Sequence, residues 1–311
     1  MPNKKLNVLP ENPQAENEEN GAVGPGRFPK WLHRKMPRGA QLAQTQNILS
    51  SHRLPTVCEE AKCPNLLQCW SQKTATFLAM GKECTRACGF CDIDFSKNPK
   101  GLEKDEPMRL AQSVQELGLK HVVITMVARD DLADGGAEHL GAIVQCVREV
   151  NPDVTIELLT SDFEGSPEAL HWIAKAAPEI FNHNIETVRA LSPRVRHRAT
   201  YERTLSVLSH MKKESPQMLI KSGLMVGLGE TSAQVEETLA DLKDAGCHIV
   251  TIGQYLQANR NKLRVKEFVT PEQFKAYEEY GRKIGIQEVF SGPFVRSSFN
   301  AAIVYNKVKK K

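Results

Sequence analysis

The sequence predicts an α/β protein with parallel strands, and three observations carry that reading. Strand-like runs alternate with helical patterns from position 74 onward, and the unit repeats about every 30 residues. The chain has 311 residues, enough for one large barrel-type domain with extensions or for two ordinary domains. Six of its eight cysteines fall between positions 58 and 91, at the head of the repeating region.

The strand runs are 74–80, 121–127, 154–160, 180–185, 219–226 and 249–255, most of them rich in β-branched residues. Helical patterns occupy 107–117, 137–150, 167–176, 201–213, 231–245 and 271–284. Alternation of this kind means parallel strands joined by crossover helices. Six units are fewer than the eight of a closed barrel, so an open six-unit barrel and a doubly wound sheet both fit. Either would place the working site at the carboxyl ends of the strands. Ahead of the repeats, residues 1–26 carry Pro10, Pro13, several Asn and Glu, and Gly24-Pro25-Gly26, which reads as a disordered tail. Residues 28–38 form a basic stretch with Phe28 and Trp31 as aromatic anchors, expected to pack as an arm on the main domain.

Composition removes several classes of function. A net charge of +4, with acids and bases nearly balanced, does not argue for nucleic acid. No apolar run reaches the roughly 18 residues of a membrane span. The first 26 residues hold four Glu and no Arg, unlike a secretory signal or a mitochondrial presequence, so the expected location is the cytoplasm. Cysteines in that compartment point to metal or redox chemistry rather than to disulfides.

The sharpest motif is Cys84-Thr85-Arg86-Ala87-Cys88-Gly89-Phe90-Cys91, directly after the first strand. Three thiolates within eight residues are soft ligands suited to zinc or an iron–sulfur cluster. A structural zinc site normally takes four protein ligands. Three would hold a four-iron cluster and leave one iron open. A second set, Cys58, Cys63 and Cys69, is spaced CX4CX5C a short way upstream. From its residues alone, a zinc site completed by a histidine such as His52, a structural cluster and a functional cluster all remain open.

The CX3CX2C spacing, with Phe90 before the last cysteine, resembles the signature of the radical S-adenosylmethionine superfamily. That resemblance implies an open partial barrel. It also implies a cluster whose free iron chelates S-adenosylmethionine and whose electron releases a 5′-deoxyadenosyl radical. Val57-Cys58-Glu59-Glu60-Ala61-Lys62-Cys63-Pro64-Asn65, taken with this loop, resembles the motif pair of the lipoyl synthases. The likeness continues through residues 129–137, 181–188, 221–231, 251–257 and 292–298, so it covers the chain from about Phe28 to Phe299. Biotin synthases and methylthiotransferases resemble this chain only through the CX3CX2C loop. A non-enzymatic zinc or iron–sulfur protein would need no second open cysteine set.

The resemblance implies two 4Fe-4S clusters and two S-adenosylmethionine molecules per lipoyl group. One cluster would sit on Cys84, Cys88 and Cys91. The auxiliary one would sit on Cys58, Cys63 and Cys69, completed by a serine that maps to Ser298, and would surrender its sulfides to carbons six and eight of an octanoyl chain. The family's Arg-Ser-Ser-Tyr appears here as Arg296-Ser297-Ser298-Phe299, without the tyrosine hydroxyl. Phe90, Asn184, Glu186, Gly223 and Gly227 map to S-adenosylmethionine contacts, and Gly135-Gly136 resembles a short glycine motif for the methionine amino group. Expected partners are octanoylated lipoyl domains of 2-oxoacid dehydrogenase complexes, glycine cleavage H-type proteins, and an electron donor such as flavodoxin or ferredoxin, with no nucleic acid and no membrane. Cys146 and Cys247 sit in apolar contexts and are expected to be structural. The basic end, Lys307 to Lys311, is expected to be solvated, or to steer an acidic carrier. The expected organisation is a tail over 1–26, a cysteine-bearing extension over 27–73, the partial barrel over 74–290 and a serine-bearing end over 291–311.

Overall fold

The computed structural model describes residues 28–34 and 40–310, so the expectation for 1–26 lies outside the described residues. Three helices come first: α1 (Ala40–Ser51), α2 (Val57–Glu60) and α3 (Leu66–Ser71). β1 (Thr76–Ala79) follows, and then β2 (Glu83–Cys84) and β3 (Asp94–Phe95), a two-stranded pair that frames the cysteine loop. The alternating region runs α4 (Glu106–Leu117), β4 (His121–Met126), α5 (Ala137–Val150), β5 (Thr155–Leu159), α6 (Pro167–Ala176) and β6 (Ile180–Asn182). It continues through α7 (Ser192–Val195), α8 (Tyr201–Glu214), β7 (Leu219–Val226), α9 (Ser232–Asp244), β8 (Ile249–Gln254), α10 (Pro271–Lys283), β9 (Glu288–Gly292) and α11 (Ala301–Lys309).

Seven strands lie side by side in the order β1-β4-β5-β6-β7-β8-β9, and every pairing is parallel. Order across the sheet follows order along the chain, so the sheet has no point where the winding reverses. That excludes the doubly wound alternative and leaves the open barrel. All six expected strands are present. The seventh, Glu288–Gly292, was not expected, because it is short, begins on a charged residue and has a single β-branched side chain. It also runs across the expected boundary at 290–291.

Local chemistry starts the helices where they start. Ser166, Thr200, Thr231 and Thr270 accept hydrogen bonds from backbone amides three residues ahead, and Thr231 with Gln234 forms a reciprocal capping box. Helix faces such as Leu110, Val114 and Leu117 of α4, or Leu140, Ile143 and Val147 of α5, are buried against the strands. Each such side chain is worth roughly 1.5–3 kcal/mol.

The other face of the sheet holds the site. Side chains alternate along a strand, and Gly223, Met225, Thr251 and Gly253 line an inner cavity. Leu219 and Lys221, on the same face of β7, therefore lie below it, as does Ile249 on β8. Val304 and Val308 of α11 pack there against Ile249, Leu219 and Phe290, and Tyr305 meets His121 at the start of β4 with centroids 5.7 Å apart. The carboxyl-terminal helix thus fills the lower barrel. Lys307 pairs with Glu288 there at 3.3 Å. Among the described residues no helix is long and apolar enough to cross a membrane.

Candidate active site

A cavity of about 450 Å³ opens at the carboxyl ends of the strands. Cys63, Cys84, Cys88, Cys91, Phe90, Asn184, Glu186, Gly223, Ser297 and Ser298 line it, so residues spread over more than two hundred positions meet there. Cys58 and Cys69 are not part of its lining. Gly227 is also absent from the lining. Its φ of +96° belongs to a turn in which Glu230 accepts from the Gly227 and Leu228 amides, and a β-carbon there would strike Gln254 and the Glu267 carbonyl. A second cavity of about 400 Å³, bordered by Trp70, Lys82 and Arg109, contains no thiol.

The upstream cysteines are placed by a short helix and a tight turn. Thr56 caps α2 and presents Cys58; Lys62, at φ 49°, reverses the chain so that the Cys63 amide donates to the Cys58 carbonyl at 3.0 Å. α3 then brings Cys69 back. Arg34, from the basic arm, donates to Asn65 and Gln68 and lies 3.5 Å over the Phe294 ring. Asn65 in turn donates to the Phe294 carbonyl at 2.7 Å, tying this turn to the carboxyl-terminal segment. His52 contacts Glu116 at 2.9 Å instead of facing these thiols.

The CX3CX2C loop is held by Arg86, a residue the motif reading passed over. Its buried guanidinium makes a forked pair with Asp130 and meets Asp162 at 2.7 Å. Gly89 is clamped on both sides: its amide donates to Val195 and its carbonyl accepts from Leu263. A β-carbon at Gly89 would sit 3.1 Å from Leu263. Lys62 and Asp92 form an ion pair of 2.7 Å that joins the two cysteine regions, and Asn259 also donates to Asp92.

All eight cysteines are free thiols. Burial pushes Cys58 up to about 12 and Cys69 to about 11, with Cys63 adding to both. It pushes Cys88 up to about 11 and Cys91 to about 12, with Cys84 adding to both. Within each set the thiols oppose one another's ionisation, and a bound cation removes that penalty. Among the described residues no three His, Cys, Asp or Glu side chains converge on one metal-ion position. A four-iron cluster does not ask for that, since each iron takes its own thiolate and the ligands surround a volume. The donor sets fit a cluster better than a single ion. Cys146 on α5 and buried Cys247 before β8 lie outside the cavity lining.

The polar side of the cavity is built from β6, β7 and the carboxyl-terminal segment. Asn184 donates to Glu186 at 3.0 Å and accepts from Ser297 at 2.9 Å. Burial holds the Glu186 carboxyl above its usual range, against the pull of Arg196 and Asn184. Arg196 donates to the Asn184 carbonyl, and Arg296 to the Val295 carbonyl at 2.6 Å. Both guanidiniums line the cavity without a carboxylate at ion-pair distance among the described residues. Sequence reading missed Arg196 because nothing near it marks a motif. His183, beside Arg196, is pushed down to about 4 by burial and stays neutral. Phe299 is buried and stacks on Phe290 with centroids 6.4 Å apart. Gly135 and Gly136 open α5: Asp134 accepts from the Gly136 amide, and Gly136 lies against Met80.

Known proteins resemble this chain in sequence and in fold. Residues 78–242 match the model of the radical SAM superfamily. The chain is 64% identical over 310 residues to a lipoyl synthase of Protochlamydia amoebophila, covering 99% of this chain and 95% of that protein. It is 52% identical over 287 residues to a lipoyl synthase of Chlamydia trachomatis serovar D, covering 92% of each. Among solved structures, a methylornithine synthase aligns with a TM-score of 0.57 at 12% identity, over 88% of this chain and 77% of that one. HydG, a maturase of the FeFe-hydrogenase, aligns equally well over 86% and 66%. At such identities the structural likeness speaks for the fold alone.

Proposed function

The chain belongs to the lipoyl synthase family of radical S-adenosylmethionine enzymes, and on that premise we propose how its own residues divide the work of inserting two sulfur atoms into a carrier-bound octanoyl group. Cys84, Cys88 and Cys91 hold the cluster that meets S-adenosylmethionine. Cys58, Cys63 and Cys69, with Ser298, hold a second, auxiliary cluster. Bound there, the first cluster supplies the electron that generates a carbon radical from S-adenosylmethionine, and the second supplies sulfur. The observation that carries this division is the meeting of both cysteine regions and Ser298 at one cavity.

The remaining residues bind, orient and exclude water. Phe90 and Gly223 give the nucleoside an apolar wall and a close backbone approach. Asn184 and Glu186 suit ribose hydroxyls. Arg196, with no carboxylate at ion-pair distance among the described residues, suits the carboxylate of the methionine moiety. Gly227 shapes the turn behind this wall rather than touching the ligand. Lys62 and Asp92 keep the two cysteine loops together, and Asn65 keeps the terminal segment closed over them. Octanoylated lipoyl domains and H-type proteins are the substrates, a small reductant protein of the flavodoxin or ferredoxin kind supplies electrons, and the setting is the cytoplasm.

Metal analysis tests the division. Anaerobically reconstituted protein is expected to carry about eight irons and as many acid-labile sulfides. Stoichiometric zinc with about four irons or fewer would make the upstream set structural.

A further inference from the structure

The segment that follows β8 has an unusual charge. From Leu256 to Lys266 it contains Arg260, Lys262, Arg264 and Lys266 and no acid. Some surface cations elsewhere are paired, Arg189 with Glu202 and Asp241 and Arg53 with Asp105, while others such as Lys73, Lys97 and Lys120 have no carboxylate at ion-pair distance among the described residues. Among the described residues, these four have no carboxylate at ion-pair distance. A run of cations is most often a solvated face. Two features set this one apart.

Its position is the first. Leu256, Gln257 and Ala258 line the cavity, and exposed Gln257 stands with exposed Lys62 and Pro64 at its rim. Leu263 packs on Gly89, so the run also borders the CX3CX2C loop, where the Arg194 carbonyl closes the other side. Arg260, Arg264 and Lys266 are exposed and follow directly on the residues that line the cavity.

Its rigidity is the second. Tyr255 donates to the Leu263 carbonyl at 2.7 Å, Gln257 to the Lys262 carbonyl at 2.8 Å, and the Lys266 amide to Gly227 at 2.8 Å. Asn259 both anchors to Asp92 and accepts from the Asn261 amide. Cations held at fixed positions around an entrance steer and register an oppositely charged partner.

We propose that Arg260, Arg264 and Lys266 form the docking surface for the carrier protein, engaging an acidic patch beside its octanoyl-lysine. This rests on the lipoyl synthase reading and adds to it how the carrier is recognised: the cavity takes the acyl chain, and the basic rim takes the protein that bears it.

The test compares two substrates under dithionite reduction: an octanoylated lipoyl domain and a short neutral peptide bearing octanoyl-lysine. The variant is Arg260→Glu/Arg264→Glu/Lys266→Glu. Its KM for the domain is expected to rise about tenfold or more at low salt, with kcat and the peptide KM unchanged. Wild-type KM for the domain should rise with ionic strength while the peptide KM stays level. Anisotropy of a labelled octanoylated domain should show the same loss of binding without turnover. An unchanged domain KM would overturn the proposal, and would return the patch to a reductant protein if only reduction by that protein suffered. Equal losses for peptide and domain would also overturn it, since the loop would then act on the cavity itself. A wild-type protein that converted neither substrate would instead defeat the functional reading beneath it.

Discussion

Ser297 donates its hydroxyl to Oδ1 of Asn184 at 2.9 Å, joining the carboxyl-terminal segment to the end of β6. Ser298, the next residue, lines the same cavity, and its hydroxyl has no hydrogen-bond partner among the described residues. Two adjacent serines thus have different employment, and their variants should fail differently. Ser298→Cys is expected to keep a stable auxiliary cluster and lose sulfur insertion, because a thiolate releases iron less readily. Ser297→Ala should keep its iron and instead bind S-adenosylmethionine several-fold more weakly, the value of about one hydrogen bond. Iron content and calorimetric titration separate the two; full lipoyl formation by Ser298→Cys would contradict the assignment.

Much of this site was legible in the sequence because its chemistry is local. The two cysteine sets are short strings whose spacing survives in one dimension, and runs rich in β-branched residues alternating with helical patterns located six strands and six helices. What was not legible depends on distant partners. Arg196 gains meaning only when the fold sets it against Asn184, and Arg86 only against Asp130 and Asp162. Strand β9 is a strand because β8 pairs with it, not because Glu288-Val289-Phe290-Ser291-Gly292 prefers to be one. Gly223 lines the cavity and Gly227 makes a turn outside its lining, a distinction that a glycine string does not express.

The two cysteine sets should be separable by substitution. Changing Cys84, Cys88 and Cys91 to alanine is expected to abolish S-adenosylmethionine cleavage while about half of the iron remains. Changing Cys58, Cys63 and Cys69 should leave cleavage measurable and give no lipoyl product. Equal loss of both clusters from either variant would show that the sites are not independent.

Gly223 tests the polar wall. A β-carbon there would lie 2.5 Å from the Thr251 hydroxyl, 2.9 Å from Asn184 Oδ1 and 3.1 Å from the Ser297 hydroxyl. These are side-chain tips, so Gly223→Ala should fold at a cost of about 1–3 kcal/mol while pushing Asn184 and Ser297 aside. Binding of S-adenosylmethionine is expected to weaken about tenfold or more, a loss of about 1.4 kcal/mol. Wild-type affinity in the alanine variant would remove Asn184 and Ser297 from the contact set.

Below the cavity, Glu157 and Lys221 meet at 2.7 Å with both side chains essentially inaccessible, and Asn182 donates to the same carboxylate at 2.8 Å. Burial alone would raise the Glu157 carboxyl, but Lys221 and His121 outweigh it and hold it below its ordinary value of 4.5. A depressed carboxylate contributes stability above its unfolded pKa and loses it as pH falls toward the folded one. Glu157→Gln leaves the Lys221 ammonium buried and uncompensated, so at neutral pH it should cost about 3–5 kcal/mol. The gap between wild type and variant should narrow as pH falls below 4.5, where the wild-type carboxylate takes up a proton that the variant has no group to match. Glu157→Gln/Lys221→Met should recover much of the loss, because no charge is then left inside the barrel. Urea midpoints of the apo-proteins across this range measure all three. A gap that widened on acidification would mean that the carboxyl is protonated in the native state and that the pair is not an ion pair.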